Sequence, residues 1–224
     1  MTRRPRPPAA DQQPLVWKIA SVLLQYPDGR VYDWLDDITA ALPQINHPAQ
    51  RQALAEVVRW LRAAPPTQAA RHHVETFDLS RRASPYLTYY RYGDTRQRGM
   101  ALLALKHTYR RAGLDPTDAE LADYLPAVLE FAALAPGDAG HKLLTGHRAG
   151  LELLRHALRD AASPYAGVLD AVCAGLPPLT ARQAADVRRL ITEGPPTEDV
   201  GLDPVGVAPF APPEFLSGSL GEPR

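Results

Sequence analysis

The sequence predicts an all-α fold, and three observations carry that reading. Apolar residues recur at the 3.6-residue period through most of residues 14 to 191. Prolines and glycines punctuate that run at short intervals, as they do between helices. Period-2 stretches are absent and β-branched clusters are few, so nothing competes as a strand.

Each element follows from its own stripe. Leu15, Ile19, Val22, Leu23 and Tyr26 share a face, and Pro27-Asp28-Gly29 ends that helix. Val31, Trp34, Leu35, Ile38 and Leu42 make a second stripe, closed by Pro43. Leu54, Val57, Val58 and Leu61 make a third. Thr67 is placed to cap a fourth, with Ala70, Val74 and Phe77 inward. Ser84 as N-cap and Pro85 at the first helical position predict a helix through Tyr90, and Gly93 suits a left-handed end. A longer helix is expected from Asp94 or Thr95 to Ala112, with Leu102, Leu105 and Tyr109 on one face and Gly113 as its stop.

Thr117 to Glu120 has capping-box spacing. Pro126 then leads into a helix that faces inward with Val128, Leu129, Ala132 and Leu134. Residues 139 to 162 read as one long amphipathic run carrying Leu143, Leu144, Leu151, Leu154 and Leu158. Ser163-Pro164 opens the next helix, with Tyr165, Val168, Leu169 and Val172, and Thr180 to Ile191 is the last. Short connections between such helices suit one bundle-like domain over residues 14–191. Residues 1–13, rich in Pro and Arg, and residues 192–224 lie outside it. The latter hold seven Pro and five Gly, with six acidic residues against one Arg, a composition that reads as disordered.

Composition excludes several classes of function. The 224 residues carry 25 basic and 25 acidic side chains, so no overall field holds the chain to DNA or an anionic membrane. No run approaches the roughly 20 apolar residues of a membrane span. Arg3-Arg4 is followed by no apolar stretch, so no export signal is expected, and a reducing cytoplasm fits the single cysteine. Cys173 sits in an apolar helical pattern and reads as a small buried hydrophobe. No strand precedes a glycine-rich loop, which removes the dinucleotide and phosphate-loop fingerprints. The seven histidines lack metal-ligand spacing. His73 shares a face with Phe77 and reads as a packing residue.

One segment departs from the neutral average. Between Phe77 and Gly99 five arginines meet two aspartates, with Phe77, Tyr86, Tyr89, Tyr90 and Tyr92 interleaved. Tyrosine and arginine are what interfaces favour, giving broad contact and directional hydrogen bonds. On the residues alone three readings stay open: a binding lip, packed tyrosines beside a solvated arginine face, or a nucleic-acid-binding helical scaffold.

The composite YLTYYRYGDTRQRGMALLALKHTYRRAGL, followed by ELADYLPAVLEFAAL, resembles the nitrate reductase delta subunit, the NarJ-type molybdenum cofactor assembly chaperones within the wider TorD-like group. SVLLQYPDGRVYDWL resembles that family's opening helices. The resemblance implies a compact all-helical chaperone rather than an enzyme. Such a chaperone binds the N-terminal segment of the apo catalytic subunit in the cytoplasm while bis-molybdopterin guanine dinucleotide is inserted. It holds no cofactor stably itself and has molybdenum cofactor biosynthesis proteins as further partners. Another molybdoenzyme as client is the alternative.

Carried over by motif, the peptide-binding set is Tyr86, Tyr89, Tyr90, Gly93, Asp94, Thr95, Arg96, Arg98, Gly99 and Met100. From the second motif come Glu120, Asp123, Tyr124, Pro126 and Glu130. Ala122 and Tyr124 stand where the second motif often has proline and histidine. Apolar side chains from residues 86 to 105 are expected to line a groove, with Asp94, Asp123 and Glu130 at its rim.

Overall fold

The computed structural model describes residues 12–115 and 120–194, and all the regular elements among them are helical. In order they are α1 (Gln13–Leu23), α2 (Gly29–Ala41), α3 (Pro48–Ala63), α4 (Pro66–His73), α5 (Tyr89–Tyr92), α6 (Arg96–Arg111), α7 (Leu125–Leu134), α8 (Ala139–Gly146), α9 (Arg148–Asp160), α10 (Ala166–Ala174) and α11 (Ala181–Glu193). The readings on residues 1–11, on the Thr117 capping box and on residues 195–224 lie outside the described residues.

α1 forms the axis of the molecule. It is predominantly apolar, buries Val16, Trp17, Ile19, Ala20 and Leu23, and packs against α7 on one side and α10 on another. α10 is apolar nearly all round and lies against α1, α3 and α9. A helix apolar on every face must be enclosed, because each fully buried aliphatic side chain contributes about 1.5–3 kcal/mol only when water is removed. α3 and α9 are amphipathic outer helices, with Leu54, Val57, Val58 and Leu61 on one and Leu151, Leu154 and Leu158 on the other turned inward. Gln50 Nε2, buried on α3, donates to the Ala171 carbonyl at 2.8 Å and ties α3 to α10. α7 and α8 approach so closely at Gly140 that a Cβ there would stand 2.4 Å from the Ala132 Cα.

Several expectations are corrected. Ser84-Pro85 does not open a helix. Residues 85–87 instead pair with residues 123–125, Leu87 N–H donating to the Asp123 carbonyl at 3.0 Å and Leu125 N–H to the Pro85 carbonyl at 2.8 Å. Those bonds satisfy the backbone across the chain and delay the helix to Tyr89. The run from 139 to 162 is two helices, broken after Gly146 at His147, whose Nδ1 bonds to the Leu143 carbonyl at 3.0 Å. Thr67 caps nothing. α4 begins after Pro65, and its buried positions are Ala69 and His73 rather than Ala70. A five-residue wide turn over Val74–Asp78 then resets the register so that Phe77 still points inward. Trp34, Tyr26 and Leu134, expected inside, are about half exposed, because α2 and the end of α7 lie at the edge of the bundle and bury only narrow stripes.

Cys173 and His73 pack as expected. Burial pushes the Cys173 thiol up to about 11. His73 sits 4.8 Å from the Phe77 ring, with Nε2 3.3 Å from the Leu24 carbonyl. No group of three or more metal-ligating side chains occurs among the described residues.

Candidate functional site

The site is built where the 85–87 segment crosses 123–125. The crossing brings the Tyr86 and Tyr124 rings to 5.6 Å. α5 is a single turn, stopped by Gly93 at φ 55° and ψ −141°, a backbone conformation that residues with a Cβ rarely adopt. Thr95 is extended and starts α6, and its hydroxyl donates to the Tyr92 carbonyl at 2.7 Å. This short geometry swings Arg98, in the first turn of α6, back over the aromatic pair. Its guanidinium carbon lies 5.5 Å from the Tyr86 ring centre and 6.0 Å from that of Tyr89.

Asp123 lies beneath. Its carboxylate is fully buried and accepts from the Thr88 N–H at 3.2 Å and from the Thr88 hydroxyl. Arg98 Nη2 stands 3.6 Å from the same oxygen, and its Nη1 lies 3.5 Å from the exposed Asp94. A carboxylate survives out of water only when paired and hydrogen-bonded; Oδ2 of this one has both kinds of partner, whereas Oδ1 has no hydrogen-bond partner among the described residues. The rim position expected of Asp123 is therefore corrected: it is an internal brace that joins α5, α6 and the start of α7. The apolar neighbours Ala122 and Leu125 were the available sign of its burial.

Tyr90 is also buried. Its hydroxyl donates to the carbonyls of Arg82 at 3.1 Å and Ser84 at 2.9 Å, and burial raises its pKa well above the usual tyrosine range. Burial first, then the charge of Glu120, pushes Tyr124 up to about 12. Pro126 is buried in the first turn of α7, and Glu130, about half exposed at the edge of a hollow, pairs with Lys18 of α1.

Two apolar hollows open beside this brace. One of about 500 Å³ is lined by Tyr86, Gly99, Leu102, Leu103, Lys106 and residues 120–122. The other, about 200 Å³, lies between Tyr109, Leu114, Phe131 and Leu134 and shares residues 120–122 with the first. Leu103, Leu121 and Leu134 are exposed around them, as is Met100 one turn before Leu103. The structure thus gathers Tyr86, Tyr89, Asp94, Arg98, Asp123 and Tyr124 into one node and puts Gly99 and Glu120 on the adjoining hollow. It turns Tyr90 toward a separate cleft and leaves Arg96 exposed. Thr88, Leu121 and Leu134 escaped the motif reading, whereas Leu103 falls within the apolar stretch expected to line a groove. The i, i+3 spacing of Met100 and Leu103, off the stripe of Leu105 and Tyr109, was the signal for a second apolar face.

Residues 45–171 match the family model of the nitrate reductase delta subunit, a span that contains the whole node and both hollows. The chain belongs to this family. Over 167 residues, 75% of the chain, it is 44% identical to the nitrate reductase-like protein NarX of Mycobacterium tuberculosis, and it spans only 25% of that longer protein. Over 172 residues it is 33% identical to the protein assigned as the nitrate reductase molybdenum cofactor assembly chaperone NarJ of Bacillus subtilis, covering 77% of this chain and 94% of that one. The delta-subunit fold also resembles a candidate redox enzyme maturation protein from Archaeoglobus fulgidus, with a TM-score of 0.55, 19% identity and coverage of 78% of this chain and 96% of that chain. Neither the chaperone nor the maturation protein bears the name of a catalyst.

Proposed function

We propose that this delta-subunit family member is a cytoplasmic assembly chaperone for a nitrate reductase. It binds the N-terminal segment of the apo catalytic subunit while that subunit receives its molybdenum cofactor. The Bacillus subtilis relative's name supports the chaperone class and the client. The observation that supports the binding mode is the pair of apolar hollows flanked by exposed Leu103, Leu121 and Leu134. An amphipathic helix lays its apolar face into such a groove through anchors about one turn apart. Glu120 lies where the two hollows meet and Lys106 lines one of them, so the groove presents charge of both signs for register. Arg98 and Asp123 act behind this surface by fixing α6 at the angle that keeps the groove open.

Isothermal calorimetry of the purified protein against the N-terminal peptide of the catalytic subunit from the same genome tests this reading. Micromolar binding is expected, weakened by about tenfold or more, some 1.4 kcal/mol, when Leu103 and Leu121 are both changed to Glu. Unchanged affinity in that double variant, with an unchanged melting curve, would remove the groove from the proposal. Absence of binding to the parent protein would remove the client segment.

A further inference from the structure

On the other side of α5, away from the apolar hollows, lies a cleft of about 610 Å³ bounded by α5, the first turn of α6, α9 and α11. Its chemistry is different. Arg91 comes from α5, Arg182 and Arg189 from α11, and Gln97, His147 and Gln183 fill the spaces between them. The apolar floor is Leu87, Tyr90 and Tyr92, with Gly150 of α9 packed 3.3 Å (as a Cβ would stand) from the Tyr90 ring.

Charge in this cleft is unbalanced. Asp186 is the only acidic side chain among the lining residues, and Arg189 already stands 3.9 Å from it and 3.7 Å from Glu193. Arg182 has no carboxylate partner among the described residues, and Arg91 contacts the Tyr92 ring at 5.3 Å rather than an acid. Two guanidinium groups thus face a concave space with their forks unused. Planar forks of this kind match phosphate oxygens in pairs. His147 is partly buried. Its Nδ1 is committed to the Leu143 carbonyl, which accepts, so Nε2 of the neutral ring is left as an acceptor for a ligand hydroxyl or amine. The volume falls in the range of small-ligand sites, which is roughly 300–1,000 Å³.

We infer that this cleft binds a small organic diphosphate, of nucleoside diphosphate size, with its phosphates on Arg91 and Arg182 and its organic body on the tyrosine and leucine floor. The site is distinct from the apolar groove and does not depend on the peptide proposal. An acidic peptide is the competing occupant, but a hollow of about 610 Å³ walled by four elements, half open to solvent, suits a compact ligand better than an extended chain.

The test uses the full chain and three probes: adenosine diphosphate, inorganic pyrophosphate, and a synthetic peptide of residues 195–224, which carries five acidic residues and one arginine. Calorimetry is expected to show adenosine diphosphate bound more tightly than pyrophosphate. Changing both Arg91 and Arg182 to Ala should weaken it by about tenfold or more without shifting the melting curve. Arg30→Ala, on α2, should leave it unchanged. Arg182→Lys should recover only part of the affinity, since an ammonium lacks the fork. Pyrophosphate binding as tightly as adenosine diphosphate would overturn the role of the floor. No binding of either phosphate probe, or binding of the acidic peptide alone, would overturn the proposal.

Discussion

Around α1, α7, α9 and α10 nearly every long apolar side chain is buried, whereas α6 buries only Leu105 and Tyr109 and leaves Met100 and Leu103 in solvent. The first region is one continuous core running from Val16 to Val187. The second is a small satellite of Leu105, Tyr109, Ala122 and Phe131, with Tyr109 and Phe131 stacked at 4.4 Å and the Tyr109 hydroxyl donating to the Ala122 carbonyl at 2.7 Å. The main core obtains its stability from area removed from water. α6 has little such area and is held instead by directed contacts: the Tyr109 hydrogen bond at its far end and the Arg98–Asp123 brace at its start. The contrast explains how this molecule keeps apolar surface free for a partner without loosening its body. The surface sits on the element that needs it least for folding.

The largest expected effect separates the two regions directly. Leu154→Ala removes a fully buried side chain from the main core and should cost about 3 kcal/mol in denaturant unfolding, within the usual spread for leucine truncation. Leu103→Ala, on the outer face of α6, should stay within about 0.5 kcal/mol, as surface changes do. Equal costs for the two would break the comparison.

The brace is next in size. Asp123→Asn keeps the shape but discharges the carboxylate that faces Arg98, and it leaves that part-buried guanidinium with exposed Asp94 as its remaining acid. A loss of about 2 kcal/mol is expected, the scale of a hydrogen bond to a charged group. Asp94→Asn, at the exposed end of the same arginine, should not move the unfolding midpoint. If Asp94→Asn proved the more damaging, the buried pair would not be what holds α6.

A smaller effect belongs to three histidines outside the α6 satellite. His72, His73 and His147 are all held below their ordinary value of 6.5, in each case chiefly by burial. Their folded forms resist protonation, so the unfolded chain takes up protons first as the pH falls. The stability they contribute is complete above about pH 6.5 and drains away below it, because there the unfolded state binds more protons. Melting temperature followed from about pH 8 to about pH 5.5 should fall through the lower half of that range, and His73→Gln should flatten the slope. A slope unchanged in the variant would place the titration elsewhere.

How much of this was legible in the sequence follows the same division. The stripes of α3, α9 and α10 could be read because a side chain buried by its own helix's periodicity needs no knowledge of its neighbours. The helix start expected at Thr180 is present for the same reason, being local, and the structure closes it with a capping box to Gln183. What could not be read depends on distant segments. Ser84-Pro85 carries every local mark of a helix start, yet hydrogen bonds to residues nearly 40 positions away hold it extended. Asp123 has the charge of a surface acid, with only apolar Ala122 and Leu125 nearby to hint otherwise, yet Thr88 and Arg98 enclose it. The motif identified which residues belong together near Tyr86. It did not reveal which of them face outward, and the cleft between α5 and α11 lay outside it altogether.

The smallest effect isolates the groove from the fold. Gly99 lies in the interior of α6 with φ in the helical range, and an added Cβ would meet nothing within 4 Å. Nothing in the packing therefore requires glycine there. Gly99→Ala should stabilise the protein by about 0.5–1 kcal/mol, the difference in helix propensity, and leave peptide affinity intact because a methyl group barely intrudes on the hollow. Gly99→Trp should keep most of that stability but fill the hollow next to Tyr86 and Leu103, reducing peptide binding by about tenfold or more. Melting curves and calorimetry on the same two variants separate the outcomes. A tryptophan that left binding untouched would move the peptide off this face, whereas an alanine that destabilised the fold would show α6 to be packed more tightly than its exposed leucine and methionine imply.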